Sequence, residues 1–478
     1  MIPLSLDQIA RITGARLDQV ADPGAVVRGP VVIDSRRVRP GGLFAAVRGE
    51  RADGHDFAPA AVAAGAVAVL ASRPAGAPAL VVGSVPAALA ALARAVVDQL
   101  PRVTIAGITG SSGKTTTKDL AAQLAERLGP TVAPEGSYNN ELGHPLTVLR
   151  ADEQTRYMVL ELAARGAGHI AELCRIAPPR LGAVLNVGHA HAGEFGSLDE
   201  IAKAKGELPE ALPPGGVAVL NADDRRVAAM ADRTAARVVT FGVDGAAGDA
   251  MAGGPAQAGE TRPHVRAAGV RLDGLGRPAF TLVTAGGSAP VQLALHGMHN
   301  VPNALAAAAL AAEMGMSVTD IAAALSAATV RSKWRMEVRR RADGVTVIND
   351  AYNANPESVR AALDALAHMA RGGRSFAILG HMAELGELSR ASHEEAGAQA
   401  ARAGLAGLIA VGEEAEPILL GARAQRAWHG EAIGVPDGPS AVAAIRGMLA
   451  PGDVVLVKAS RAAALESVAA ELLSEKAL

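Results

Sequence analysis

The chain has 478 residues, half of them apolar and a fifth charged, a balance that folds rather than stays disordered and suffices for roughly two to four domains. Its 46 Lys and Arg against 48 Asp and Glu leave a net charge of −2, which offers no positive field to a nucleic-acid partner. Cys174 is the single cysteine, so an intrachain disulfide framework and a thiolate zinc cluster are both excluded, and a cytoplasmic setting is expected.

The opening MIPLSLDQIARITGARL carries Asp7 and Arg11 where a secretory signal needs its apolar stretch, so it reads as a first helix. The uncharged run from Phe57 to Ser72 is mostly Ala and Gly and too short to span a bilayer, so no membrane insertion is expected. Short β-branched runs alternate with Ala/Leu-rich helical stretches, the pattern of parallel sheets covered by helices, which places the chain in the α/β class. With aromatics at 2%, the cores must be filled by Val, Leu, Ile and Ala. The helical stretch Pro86 to Leu100 stops at Pro101, and a second break falls near 328, after the helix around Asp320 to Ala328. The expected domains are therefore 1–100, 101–328 and 329–478.

VTIAGITGSSGKTTTKDLAAQLAERLG, from Val103 to Gly129, reads as strand, glycine loop and helix, with Leu120, Leu124 and Leu128 at four-residue steps. Backbone N–H groups from Gly110 through Ser111, Ser112 and Gly113 to Lys114 would cradle phosphate oxygens at the helix N-terminus. Lys114 would reach the terminal phosphates, and the Thr115 hydroxyl, followed by Thr116, would bind magnesium. The strict pattern puts its first glycine at the position of Ile108, whereas this chain has Gly107 one place earlier, so the match is to a variant. ATP or GTP is the predicted ligand.

The strand Tyr157 to Glu161 ends in a carboxylate, a magnesium candidate at a sheet edge. A strand from Gly182 to Gly188 leads to His189 and His191, either of which alone reads as a loop residue. Ser197 to Glu200 makes a capping box before a helix carrying Lys203 and Lys205, whose ordinary reading is a solvated face; spacing does not choose between these lysines. Val243 to Gly259 reads as a surface loop without a role. Asn300 and Asn303 share one face of a helix start, where their amides could read a base edge or cap the helix. The strand Val345 to Ile348 delivers Asn349 and Asp350, an acidic strand-end residue suited to ribose hydroxyls. The following AYNANPES reads as a helix cap before Val359 to Leu366, and Arg335 and Arg461 read as lone, solvated cations.

Taken together, TGSSGKTT at Thr109 to Thr116, NNELGHP at Asn139 to Pro145, the glutamate of LELAA, the His191 segment, AKAKGEL, HNVPNALAA and INDAYNANP at Ile348 to Pro356 resemble the Mur ligases, ATP-dependent amide-forming enzymes of peptidoglycan precursor synthesis. The resemblance implies an N-terminal UDP-binding α/β domain, a central P-loop ATPase domain with a mostly parallel sheet, and a C-terminal Rossmann-like domain. DSRRVRPGGLFAAVRGERADGHDF, from Asp34 to Phe57, is similar to the UDP-binding domain of the branches that add the third residue or the terminal dipeptide. The Asp-Asn/Asp-Pro-Arg box and the Asp-Tyr-Ala-His segment of the third-residue branch are missing, whereas AYNANP and LGHMAELGELS are similar to the dipeptide-adding branch.

That branch implies UDP-N-acetylmuramoyl-tripeptide and D-alanyl-D-alanine as substrates, joined through an acyl phosphate at the expense of ATP by a protein that need only be a monomer. It implies two magnesium ions, one held by Thr115 and Glu161, the other by His191 and a carbamylated Lys205, with Lys114 neutralising the transferring phosphoryl group. Asn300 and Asn303 would face adenine, Asp350 the ribose, Arg335 the phosphates and Asn140 the metal and phosphate region. Ser35, Arg36 and Phe44 would lie near UDP, and Tyr352, Asn353 and Asn355 where peptide and dipeptide meet. Closure of the domains would bring Asp350 and Arg335 onto the nucleotide. Two positions depart from the pattern: His381 stands where aspartate is usual, and Ala459 where glycine is usual.

Overall fold

The computed structural model describes residues 1–49, 52–189, 192–245 and 262–474. His191 and most of the segment read as a loop from Val243 to Gly259 therefore lie outside the described residues. The first helix is Leu6–Thr13, started by a capping box in which Ser5 Oγ accepts from Gln8 N and Gln8 Oε1 accepts from Ser5 N. It buries Leu6 and Ile9.

Among the described residues the chain builds three main sheets. The first has five strands in the order Arg16–Asp18, Ala79–Val81, Ala68–Ala71, Leu43–Ala45 and Val31–Val32, parallel except at the Arg16 edge. The second has nine: Gly287–Gln292, Pro278–Thr284, Val265–Leu272, Arg237–Val243, Val217–Asn221, Leu181–Val184, Thr104–Thr109, Tyr157–Glu161 and Thr131–Val132. Only its first three strands pair antiparallel. The third has six, in the order Glu337–Arg340, Thr346–Asp350, Val454–Lys458, Ser375–Gly380, Gly407–Val411 and Glu431–Val435, and only its Glu337 edge is antiparallel. This is the α/β class with mostly parallel sheets. No helix among the described residues is long and apolar enough to cross a membrane.

Small side chains set the packing of the central unit. In the helix Asn300–Glu313 every residue from Ala304 to Leu310 is fully buried, so this helix is apolar all round and runs inside the domain. Its alanines let it lie close to the phosphate-loop helix, Lys114–Glu126, which shares its cluster through Leu120, Ala121, Leu124 and Ala125. Gly107 serves the same purpose within its strand. A Cβ there would come within 3.0 Å of Leu162 and 3.2 Å of Leu208, so this glycine belongs to packing and not to the loop that follows.

The strand expected to reach Gly188 ends at Val184. Beyond it Asn186 bonds the phosphate loop instead of a ladder partner, which is why regular pairing stops there. Ser197 caps the helix Leu198–Glu210 by accepting from Glu200 N, without the reciprocal half of the box.

Candidate functional site

Thr104–Thr109 is flanked in the sheet by Leu181–Val184 on one side and Tyr157–Glu161 on the other, all parallel. From this strand the chain crosses to Thr131–Val132 on one side, and from its neighbour Leu181–Val184 to Val217–Asn221 on the other, so a crevice opens between them at the carboxyl ends, where open α/β sheets bind ligands. The loop Gly110–Gly113 and the N-terminus of the helix Lys114–Glu126 occupy that edge.

The loop is braced from the neighbouring strand end. Ser111 N donates to Asn186 O at 3.1 Å and Ser112 N to Asn186 Oδ1 at 2.9 Å. Ser111 Oγ accepts from Gly188 N at 2.8 Å and donates to Gly188 O at 2.9 Å. The expected cradle from Gly110 to Lys114 is thereby corrected: the Ser111 and Ser112 amides are already spent inside the protein. The amides at Gly113 to Thr116, the first of the helix, are left to meet an anion. Lys114 Nζ folds over the loop mouth, 2.7 Å from Gly110 O. Burial lowers its pKa, with Glu161 opposing and Arg335 adding to the effect, which puts all three charges in one neighbourhood.

Glu161 is 2% exposed and holds the next part of the site. Its Oε2 accepts from Thr115 Oγ1 at 2.8 Å and its Oε1 from Asn139 Nδ2 at 2.6 Å. Thr115 Oγ1 also lies 3.1 Å from Ser137 Oγ, to which Arg335 Nη2 donates at 3.1 Å from the third sheet's side. Arg335 is thus no solvated cation. Its guanidinium stacks on Tyr352 at 4.2 Å, and its Nε is buried without a partner. Arg461 keeps its exposed position but lies over the Trp334 ring at 4.6 Å.

The two lysines of the helix Leu198–Glu210 separate cleanly. Lys203 is exposed, whereas Lys205 is 3% exposed. Burial first, and the charge of Lys114 second, push the Lys205 ammonium well below its ordinary pKa.

Asn303 packs its amide against the phosphate loop, where a Cβ on Gly113 would come 2.2 Å from Asn303 Oδ1. Asn303 Nδ2 donates to Asn300 Oδ1 at 3.2 Å, and Asn300 Nδ2 to His296 O at 2.7 Å. Neither caps the helix; His299 takes the cap position without a side-chain bond, so the capping alternative is not realised. Asp350 ends its strand with Oδ1 accepting from Met336 N at 3.0 Å and Oδ2 from Lys458 Nζ. Asn140 Oδ1 accepts from Gly143 N at 2.9 Å, closing the turn into the helix Gly143–Val148.

Apart from Lys205, which does not line it, the site groups open on one cavity of about 1630 Å³, lined by Ala87 and Ala90 of the first unit, the phosphate loop with Thr116, Asn140, Glu161, Asn300 and Asn303 of the second, and Arg335, Asp350, Tyr352, Asn353 and Asn355 of the third. It exceeds the roughly 300–1,000 Å³ of a single small-molecule pocket, room for more than one substrate at once. Asn355 also closes the capping box of the helix Pro356–Ala370, accepting from Ser358 N at 2.8 Å. Glu357 in that first turn reaches across to His189, meeting its backbone N at 2.9 Å and Nδ1 at 2.7 Å.

Ser35, Arg36 and Phe44 do not line this cavity. Ser35 and Arg36 form the turn Ser35–Arg37, where Arg36 pairs with Asp34 at 2.8 Å. Phe44 is corrected outright: it is 1% exposed and packs in the core beside Val69 and Ala79, so its side chain offers no surface to UDP. Sequence reading assigned no role to Ser137, Asn186, Glu357 or Lys458. Asn139 and Glu357 did lie within quoted segments, NNELGHP and AYNANPES, so part of the signal was visible.

A strand, a glycine loop braced at a sheet switch point, a buried strand-end carboxylate and an arginine delivered by a separate sheet define a multidomain phosphate-loop nucleotide enzyme. The chain matches the Mur ligase family, catalytic domain, over residues 30–110, the Mur ligase middle domain over 108–311 and the Mur ligase, glutamate ligase domain over 334–461. It belongs to the Mur ligase family. It is 50% identical to the UDP-N-acetylmuramoyl-tripeptide–D-alanyl-D-alanine ligase of Mycobacterium tuberculosis, over 99% of this chain and 98% of that one. Among solved structures it is similar to MurF from Acinetobacter baumannii, with a TM-score of 0.84 and 30% identity over 99% of both chains. It is also similar to MurF ligase from Thermotoga maritima in complex with ADP, with a TM-score of 0.77 and 29% identity over 94% of this chain and 97% of that one.

Proposed function

We propose that this protein is the dipeptide-adding ligase of peptidoglycan precursor synthesis. It joins D-alanyl-D-alanine to UDP-N-acetylmuramoyl-tripeptide with ATP, releasing ADP and phosphate. The observation that carries this reading is the convergence on one cavity of a braced phosphate loop, Glu161 and Arg335, in a chain 50% identical along its length to a relative of that name. Under the same proposal the chain divides into 1–100, 101–328 and 329–478 and works in the cytoplasm.

The tripeptide carboxylate attacks the γ-phosphorus of ATP, and the bond to ADP breaks. The amine of D-alanyl-D-alanine then attacks the acyl carbon, loses a proton, and phosphate leaves. Little covalent work falls to the protein, which positions the partners and neutralises charge. The first amides of the helix Lys114–Glu126 and Lys114 hold the phosphates, and Arg335 meets the transferring group from the opposite wall. Asn300 and Asn303 face the base, Asp350 the ribose, and Asn140 the phosphate region. Ser35 and Arg36 remain assigned to the UDP end, and Tyr352, Asn353 and Asn355 to the meeting of the two peptides.

Magnesium fits the residues present. Thr115 and Glu161 offer a hydroxyl and a buried carboxylate 2.8 Å apart, and an ion that otherwise keeps waters and phosphate oxygens asks for little more. When bound, magnesium supplies charge neutralisation at the phosphate oxygens. Lys205 suits a carbamate: its buried, low-pKa amine favours the neutral form whose Nζ attacks carbon dioxide, forming an N–C bond and releasing a proton. The resulting anion, with His191, would hold the second ion.

The decisive experiment is phosphate release with ATP, magnesium and UDP-N-acetylmuramoyl-tripeptide, with and without D-alanyl-D-alanine. Release that needs both is expected. Release only with UDP-dipeptide and a free diamino acid would move the assignment to the third-residue branch.

A further inference from the structure

Resting on the reading above that Arg335 meets the transferring phosphate, we infer that Lys458 is a positioning residue that sets Arg335 in the site through Asp350. The two strands involved are adjacent and parallel, and their register pairs Asp350 directly with Lys458 at their carboxyl ends. Lys458 is 2% exposed, and an ammonium so placed must find acceptors nearby. It finds two: Asp350 Oδ2, and Asn353 O at 2.9 Å. One fixes the carboxylate. The other fixes the turn that follows it.

Both anchors pass directly to the segment carrying Arg335. Asp350 Oδ1, the oxygen Lys458 leaves free, accepts from Met336 N at 3.0 Å. Tyr352 N, inside the turn Lys458 holds, donates to Trp334 O at 3.1 Å. Trp334 and Met336 adopt φ of 60° and 49°, left-handed conformations that side chains other than glycine enter only when surroundings enforce them. The residues on both sides of Arg335 are therefore held by bonds that begin at the Lys458 pair, and the Tyr352 ring stacks on the guanidinium at 4.2 Å. Arg335 then spans to Ser137 Oγ, next to Thr115 and Glu161. Without Lys458, Asp350 would be a largely buried carboxylate that has lost its cation and is driven to turn toward water. The two strained residues would lose the bonds that keep Arg335 on target.

The test is a mutant cycle on the full chain: Lys458→Met, Arg335→Ala and both together, followed by radiolabelled phosphate release with all three substrates. Lys458→Met should lower kcat about 10- to 100-fold, the loss that roughly 1 Å of misplacement brings, with KM for D-alanyl-D-alanine unchanged. On the Arg335→Ala background the same change should cost less than about twofold, because the group it positions is gone. An equal fold loss on both backgrounds overturns the inference, as does a lowered Tm with unaltered kcat. If Lys458→Met does not fold, Lys458→Met with Asp350→Asn leaves no unpaired buried charge and is compared with Asp350→Asn alone. A further loss below about twofold supports the coupling and a full loss overturns it. Absence of phosphate release from the unaltered protein would instead remove the site reading, and this inference with it.

Discussion

Gly113→Ala tests how the phosphate loop is built. Gly113 has φ of +81° immediately before Lys114, and its missing Cβ would sit 2.2 Å from Asn303 Oδ1. An alanine there costs about 1–2 kcal/mol for the left-handed backbone. It also drives the Asn303 amide back by about 1 Å to ordinary contact distance. The 3.2 Å bond from Asn303 to Asn300 is lost, about 1 kcal/mol more. A total of roughly 2–3 kcal/mol is within the stability of an ordinary domain, so the variant should fold with Tm lowered by roughly 5–10 °C. Function should suffer more. The loop amides and the Asn303 amide move together by an amount that costs about 100-fold in reactions governed by alignment, so kcat/KM for ATP should fall by about that factor. Steady-state phosphate release with ATP varied, alongside thermal unfolding, measures both effects. Adding Asn303→Ala removes the clash, so the pair should lose clearly less than the product of the single losses. A Gly113→Ala protein whose kcat/KM for ATP stays within about threefold of the unaltered chain would refute the reasoning.

Lys205→Met should abolish more than about 99% of the ligase activity, and the unaltered protein should lose activity when carbon dioxide is stripped and regain it with bicarbonate. Full activity of the variant without bicarbonate would remove the carbamate assignment. His144 is buried, and burial, against a weaker opposing contact with the Leu173 backbone, pushes its pKa from 6.5 down to about 4. The unfolded chain therefore takes up the proton first as pH falls. Stability present above 6.5 is lost between 6.5 and 4, by up to about 3 kcal/mol. Urea unfolding of His144→Leu should show a flatter pH dependence across that window, and an unchanged slope would count against the assignment. The His189–Glu357 pair is partly solvated, its side chains 42% and 29% exposed, so Glu357→Gln should change KM for ATP by less than about fivefold. A loss of kcat beyond about 30-fold would show that Glu357 touches substrate.

What the sequence made legible was what is local. A phosphate loop needs its glycines, lysine and hydroxyl within a few consecutive residues, so Val103 to Gly129 announced strand, loop and helix before any fold was known. The first helix in the opening segment and the helix start at AYNANPES were equally readable, because a cap bonds residues only a few places away. Lys203 and Lys205 show the limit. They differ by two positions on one helix, and only tertiary packing decides which of them is buried. Phe44 failed for the converse reason: a lone aromatic among apolar residues carries no mark of whether its strand turns it toward a ligand or into the core. Arg335 read as a solvated cation because its partners, Ser137 and Tyr352, lie on opposite sides of the break near 328, and no periodicity pairs residues across a boundary.

That boundary also explains why Arg335 stands where it does. The segment leading to it docks on the phosphate-loop helix itself. Thr329 exchanges bonds with the Gln123 amide at 3.0 and 3.1 Å, Arg331 meets Glu126 with two bonds of 2.6 Å, and Ser332 N donates to Asp119 Oδ2 at 3.0 Å. Asp119, Gln123 and Glu126 lie three and four residues apart, hence on one face, and the linker runs back along that face toward the loop. The Arg331 pair is about half exposed and adds little to stability on its own. The backbone bonds at Thr329 and Ser332 matter more, because they fix the linker's register on the helix. The chain therefore reaches Arg335 three residues after Ser332 and enters the third sheet at Glu337, with Arg335 already beside the helix that presents Lys114 and Thr115. Positioning the arginine then needs only the short, strained turn at Trp334 and Met336, held from the other side by Asp350 and Tyr352.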